Sequence, residues 1–253
     1  MNLETSARTL LRCLDLTSLN DADNETSTAA LCAKAQTPFG NVAAVCVWPR
    51  FVAQARAALP ADVRVAAVAN FPDGALDSAR AVADVDAIAQ AGAQEIDVVL
   101  PYRALIAQKT QEVAEFLSEV RHASRPLTLK VIIESGELKD EALIRRATQL
   151  CLNAGADFIK TSTGKTPVSA TLEAARAMLD EIRTSGLHAA GFKASGGIRT
   201  VVQGADYLAL TEQVLGAAAL NPERLRFGAS GLLDDILAVL GGQGGVATQP
   251  GSY

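Results

Sequence analysis

Short apolar runs and longer stretches of helical spacing take turns along almost the whole chain. The runs fall at residues 12–17, 42–48, 63–69, 95–100, 127–134, 157–161, 189–193 and 224–228, each of strand length. Between them, Val82, Val85, Ile88 and Ala89 mark one apolar stripe and Leu143, Ala147, Leu150 and Cys151 another, both at helical spacing. Residues 231–240 place leucines at 232, 233, 237 and 240, the spacing of a packed helix. Eight strands alternating with helices imply a parallel sheet, and eight is the number that closes a (β/α)8 TIM barrel. Periodicity alone does not show closure, so an open doubly wound sheet fits the same pattern. No Pro/Gly/Ser linker interrupts the alternation, and residues 1–240 read as one barrel domain opened by an N-terminal helix. Residues 241–253 read as a flexible, glycine-rich C-terminal tail.

A weak internal repeat gives the pattern depth. Ala91-Gly92-Ala93 leads into a strand containing Asp97, and Ala154-Gly155-Ala156 leads into one containing Lys160. In both, glycine is expected to end a helix in the left-handed conformation. Asp97 and Lys160 each follow that glycine by five residues. Equivalent places on parallel strands are expected at one level of the sheet, within reach of a common site.

Polar residues interrupt otherwise apolar strands near the ends where a barrel carries its active face. They are Asp15, Thr17, Cys46, Asn70, Asp97, Lys130, Glu134, Lys160 and Lys193, with Ser230 just beyond the last strand. A lone Asp or Asn there caps a turn, and a lone cysteine is a small core residue. Several charges in one sheet are another matter, because a barrel interior does not tolerate several unpaired ions. Lys160 and Lys193 end matched runs one strand–helix unit apart, which suggests an amine nucleophile kept neutral by a cationic neighbour. Gly164-Lys165, Gly196-Gly197 and Gly228-Ala229-Ser230-Gly231 follow the last three runs. Glycine lets backbone N–H groups approach an anion, and phosphate sits at these loops in barrels.

Composition narrows the choice. Hydrophobic residues make up 49% and charged residues 20% of the 253, enough for a sizeable core, and the formal charge of −5 argues against a nucleic-acid or membrane-surface role. No apolar stretch has the length of a membrane span, and the N-terminus lacks a signal-peptide core. Cys13, Cys32, Cys46 and Cys151 show no paired spacing and read as reduced thiols of a cytoplasmic protein. His122 and His188 stand apart from any cysteine or carboxylate cluster, which argues against zinc.

At these residues the chain resembles the bacterial deoxyribose-phosphate aldolases. The matching segments are Leu14 to Asn20, Val45 to Phe51, Glu95 to Arg103, Lys130 to Leu138, Phe158 to Lys165, Gly191 to Thr200 and Arg226 to Ser230, in the family's order. The resemblance implies a TIM barrel that reversibly cleaves 2-deoxyribose 5-phosphate to glyceraldehyde 3-phosphate and acetaldehyde, in deoxyribose phosphate breakdown, as a class I lyase without metal or cofactor. It makes Lys160 the Schiff-base lysine, Lys193 the neighbouring cation and Asp97 the proton-relay carboxylate. Asp15, Thr17, Cys46, Lys130 and Thr161 become substrate-binding, with Asp15 and Thr17 holding hydroxyls. Phosphate falls to Gly164, Lys165, Gly196, Gly197, Arg199, Gly228 and Ser230, and the terminal Tyr253 is a candidate for proton transfer. The partners implied are small phosphorylated sugars and aldehydes, and a homodimer. Ala194 stands where the family often has proline, Gly231 replaces a common second serine, and Leu59 to Asp62 is compact for its loop. An isomerase would need no imine, and a phosphate-sugar sensor would not need the lysine–aspartate constellation.

Overall fold

Each of the eight apolar runs forms a strand in the structure, a computed structural model that describes residues 1–242. They are β1 (Leu14–Thr17), β2 (Ala44–Val47), β3 (Arg64–Ala69), β4 (Glu95–Val99), β5 (Thr128–Ile132), β6 (Phe158–Lys160), β7 (Gly191–Ser195) and β8 (Leu225–Ala229). Successive strands pair in parallel, and β1 pairs with both β2 and β8, so the sheet closes into an eight-stranded barrel. Of the two architectures that the alternation allows, the closed one forms. Residues 243–253, with most of the expected tail and Tyr253, lie outside the described residues.

Alternate side chains of a strand take opposite faces. Leu14, Leu16, Val45, Val47, Val65, Ala67, Ile96, Val98, Leu129, Val131, Ile159, Phe192, Ala194, Leu225 and Phe227 join the apolar layer shared with the helices. The intervening positions face the barrel axis. There Cys46, Ala66 and Val68 make a small apolar group of their own with Leu19, and the charged residues of the other strands fill the rest. Polar interruptions in the apolar runs are therefore the inner face of the sheet.

The N-terminal helix, Leu3–Arg12, starts at Asn2, whose side chain accepts from the Thr5 N–H at 2.8 Å, and packs against helices Val201–Leu215 and Leu232–Leu240. The repeat glycines take the expected conformation: Gly92 and Gly155 have φ of +92° and +84°, one residue past the C-caps Ala91 and Ala154 of their helices. The first apolar stripe is rotated from the expected one. Ala81, Val85 and Ile88 are buried, while Val82 is half-buried and Ala89 exposed. The compact Leu59–Asp62 turn is held by Arg56, whose guanidinium donates to the carbonyls of Leu59, Pro60 and Val63 at 2.9, 2.6 and 2.8 Å. A small antiparallel hairpin, Gln36–Thr37 with Gly40–Asn41, is additional to the expected elements.

Candidate active site

Three basic side chains stand side by side on the inner face of the barrel. Lys160 on β6 is the register partner of Lys193 on β7, and Lys193 that of Arg226 on β8. On the neighbouring strands Asp97 of β4 pairs with Lys130 of β5. Lys160 is not level with Asp97, as the repeat suggests: its partner on β5 is Ile132, two residues beyond the Lys130 that faces Asp97. The stagger needed to close a barrel accounts for the offset. The four-carbon lysine stem bridges it, and Lys160 Nζ donates to Asp97 Oδ2 at 2.7 Å.

Asp97 serves all three lysines. Its Oδ2 also accepts from Lys193 at 2.8 Å, and its Oδ1 from Lys130 at 3.0 Å. Lys193 donates in addition to Asp15 Oδ2 at 2.5 Å, and Lys130 lies 3.3 Å from that oxygen and 2.6 Å from Glu95. Arg226 closes the network, donating to Asp15 Oδ1 at 2.6 Å and to Glu95 at 2.8 and 3.1 Å. None of these side chains is more than 4% exposed.

Burial disfavours charge on every member, and the partners decide which ones keep it. Burial would raise Asp97, yet Lys130, Lys160 and Lys193 hold its carboxyl well below the usual range. Asp15 is depressed against its own burial by Lys130, Lys193 and Arg226. Burial would lower Lys193 and Lys130, but Asp15 and Asp97 raise both, Glu95 adding to the effect on Lys130. Lys160 alone goes the other way. Burial lowers it, Asp97 opposes, and the Lys193 charge lowers it further. The resulting arrangement is one amine biased toward the neutral, nucleophilic form between groups that stay ionised.

Above this network opens a cavity of about 480 Å³ lined by Thr17, Ser18, Leu19, Asn20, Thr163, Gly164, Lys165 and the loops Ser195–Arg199 and Gly228–Gly231. Gly164, Gly196 and Gly197 have φ of +78°, +83° and +83°. A side chain at Gly228 would place its Cβ 2.6 Å from Ser195 Oγ and 3.1 Å from Lys193 Cε, so the absence of one lets this loop lie directly over the lysines. Helix Leu232–Leu240 begins at the same rim, its N-terminus adding partial positive charge. Lys165 donates to the Leu19 carbonyl at 2.7 Å and spans the mouth from β6 to β1.

All seven residues expected to hold phosphate, with Thr17, line this cavity. The others lie beneath or beside it. Lys160, Lys193 and Asp97 sit together under its floor, and Asp15 and Lys130 are members of the ion network rather than of an open wall. Both Asp15 oxygens are engaged, one by Lys193 and one by Arg226. Thr161 braces β6 to β7, exchanging bonds with the Ser195 N–H at 3.0 Å and its carbonyl at 3.2 Å. Cys46 is sealed, and burial pushes its thiol up to about 11. Glu134, singled out without a role in the sequence, adopts φ +51° and accepts from the Thr163 N–H and the Thr163 and Thr166 hydroxyls, fixing the loop after Lys160. Glu95 and Arg226 are missed altogether as functional candidates. The period of two gives the signal: Glu95 lies two residues before Asp97, and Arg226 between outward-facing Leu225 and Phe227. Among the described residues no group of three or more His, Cys, Asp or Glu side chains is arranged to hold a metal ion.

Residues 9–234 match the model of the DeoC/LacD family aldolases. The chain is 52% identical over 240 residues to the deoxyribose-phosphate aldolase of Agrobacterium fabrum, covering 94% of this chain and 92% of that protein. A Toxoplasma gondii protein crystallised as a candidate deoxyribose-phosphate aldolase superposes with a TM-score of 0.87 at 26% identity, over 95% of this chain and 96% of that one. The tetrameric deoxyribose phosphate aldolase of Aeropyrum pernix shares the fold, with a TM-score of 0.72 at 20% identity over 94% and 96% of the two chains.

Proposed function

The chain belongs to the DeoC/LacD family of aldolases, and from that membership we propose that it reversibly cleaves 2-deoxyribose 5-phosphate through a Schiff base on Lys160. The reaction is a class I aldehyde-lyase reaction on a small sugar phosphate. One observation carries the assignment of the nucleophile: Lys160 is the barrel amine biased toward neutrality, and it lies under a cavity walled by anion-suited loops.

The sugar phosphate enters with its phosphate among Gly164, Lys165, Gly196, Gly197, Arg199, Gly228 and Ser230. This fixes the C1 aldehyde beside Lys160. The neutral amine adds to C1, and loss of water leaves a protonated imine. A base takes the C3 hydroxyl proton, the C2–C3 bond breaks, and its electron pair passes into the imine to give an enamine. Glyceraldehyde 3-phosphate departs. Protonation of the enamine carbon and hydrolysis then release acetaldehyde and the free amine. Asp97 remains ionised and accepts from three lysines, so it fits the relay, and Lys193 beside it fits the donor. Cys46, Thr17 and Thr161 frame the reacting end, and Asp15 and Lys130 hold the ions beneath it.

Under this reading the enzyme works in the cytoplasm, where its four buried, unbridged cysteines stay reduced, and pairs as a homodimer, which sedimentation measures. Among the described residues no helix is long and apolar enough to cross a membrane. The test is mass spectrometry after mixing the protein with 2-deoxyribose 5-phosphate and borohydride. A reduced adduct on the peptide carrying Lys160 is the expected result. An adduct on Lys193 or Lys130 instead refutes the assignment, and binding of the sugar phosphate without any adduct favours an isomerase or a sensor.

A further inference from the structure

The barrel interior beneath Lys160 balances electrically without it. Lys130, Lys193 and Arg226 contribute three positive charges, and Asp15, Glu95 and Asp97 three negative ones, linked by direct contacts of 2.5 to 3.3 Å. β3 adds Ala66 and Val68 to this interior, and β2 adds Cys46, a thiol that stays neutral near pH 7. Arg64 of β3 and Glu223 share a cavity with Glu95 and Arg226, but both are exposed, so water screens their charges. Six charges cancel, and Lys160 is the remaining buried amine in contact with them. Protonated, it leaves this buried cluster at +1; neutral, it leaves zero.

An uncompensated charge in such surroundings is strongly disfavoured. Geometry decides which amine gives up the proton. Lys130 contacts three carboxylates and Lys193 two, whereas Lys160 contacts one oxygen of Asp97 and shares it with Lys193. Glu134, at the end of β5, is the other ionisable group beside Lys160. It forms no ion pair among the described residues, and its carboxylate is engaged by Thr163 and Thr166. We propose that Glu95 and Arg226, which make no hydrogen bond or ion pair with Lys160 and do not line the cavity walled by the glycine loops, are positioning residues that hold Lys160 neutral by fixing the charge count of the barrel. This rests on the reading of Lys160 as the nucleophile.

The count makes opposite demands on the two residues. Glu95→Gln removes a negative charge, so a proton on Lys160 meets an excess of positive charge and leaves more readily. Arg226→Gln removes a positive charge, and a proton on Lys160 then restores neutrality. The experiment measures the pH dependence of borohydride trapping of acetaldehyde on Lys160 by peptide mapping, with circular dichroism as the check on folding. The midpoint moves to lower pH in E95Q and to higher pH in R226Q, each by about one unit, the size a nearby unit charge exerts at a protein-like dielectric. The double variant returns close to the wild type. Midpoints that stay put, or move in the same direction, overturn the proposal, since a purely structural role has no sign. Failure of the wild type to trap aldehyde on Lys160 at any pH defeats the nucleophile assignment instead. Should the variants not fold, NMR of the wild-type lysine Nζ groups decides: neutral Lys160 with charged Lys130 and Lys193 at pH 7 supports the count, and a neutral Lys130 or Lys193 overturns it.

Discussion

Lys160 and Lys193 donate to the same oxygen of Asp97, Oδ2, at 2.7 and 2.8 Å. Two ammonium groups on one carboxylate oxygen repel each other. Lys193 has Asp15 as a second partner, so the repulsion falls on Lys160.

Replacing Lys193 by methionine removes that repulsion and leaves Asp97 to Lys160 and Lys130. The proton on Lys160 is then held more tightly. Neutral amine becomes available only at higher pH, and each unit of rise costs a factor of ten at neutrality. The expected outcome is a loss of about 10- to 100-fold in kcat/KM at pH 7, recovered in part as pH rises. A pH–rate profile with its acid limb unmoved would sink the role given to Lys193.

Asp97→Asn separates imine formation from carbon–carbon cleavage. With the shared anion gone, three buried lysines face one another with only Asp15 and Glu95 to compensate, which lowers the affinity of Lys160 for its proton. Borohydride adducts on Lys160 should therefore persist. Cleavage loses its proton acceptor and should slow by about 10²- to 10⁴-fold. Removing one partner from a buried ion cluster also destabilises by about 3–5 kcal/mol, visible as a lower urea midpoint. Loss of trapping together with cleavage, in a folded variant, would show that Asp97 acts on the amine and not on the later proton transfer.

The loop Gly196-Gly197 tests phosphate recognition apart from chemistry. Gly196 has φ +83°, and a Cβ there would lie 2.5 Å from Ser169 Oγ, so Gly196→Ala must displace the backbone beneath the cavity. Ser230→Ala removes a hydroxyl from the neighbouring loop of the same cavity and leaves the backbone alone. Losing one hydrogen bond to a charged group is worth about 1.5–3 kcal/mol, roughly 10- to 100-fold. Both variants should lose that much kcat/KM for 2-deoxyribose 5-phosphate, with the unphosphorylated sugar almost unaffected. Equal losses on the two substrates would move the phosphate elsewhere.

Much of this site was legible because a barrel strand writes its two faces into alternate residues. Val45 and Val47 bracket Cys46, and Phe192 and Ala194 bracket Lys193, so inward-facing polar groups stand out as interruptions. Closure was legible in the family resemblance and not in the periodicity. It depends on register, and the two-residue stagger that sets Lys160 above Asp97 leaves no mark in either strand's pattern. Glu95 was overlooked because a glutamate at the first position of a strand reads as a solvent-facing end. Arg226 lies so close to Glu223 and Arg224 that it reads as surface charge, although it is 3% exposed. The small hairpin at Gln36–Thr37 carries no apolar alternation to betray it.

The same ion network predicts how the fold responds to acid. Asp15, Glu95 and Asp97 have pKa values below their ordinary ones, held there by Lys130, Arg226 and Lys193 against their own burial. A carboxyl depressed in the folded state binds fewer protons there than in the unfolded chain. Its contribution is fully present above its ordinary pKa near 4 and fades as pH falls below that value toward the folded one, each unit of depression being worth about 1.4 kcal/mol. Lys130 and Lys193 are raised, so their contribution is complete below their ordinary pKa near 10.4 and fades only above it. Stability should accordingly drop steeply below pH 4, as these carboxylates take up protons and leave buried cations unpaired. It should climb again from the lowered pKa of Lys160 up to about 10.4, because over that range the unfolded chain holds a proton that folding releases. Urea midpoints at a series of pH values measure the slope. Asp15→Asn, which lowers stability at neutral pH, should also make the acid limb shallower, since one depressed carboxyl no longer titrates. An acid limb of unchanged steepness in that variant would mean that acid sensitivity arises outside the barrel interior.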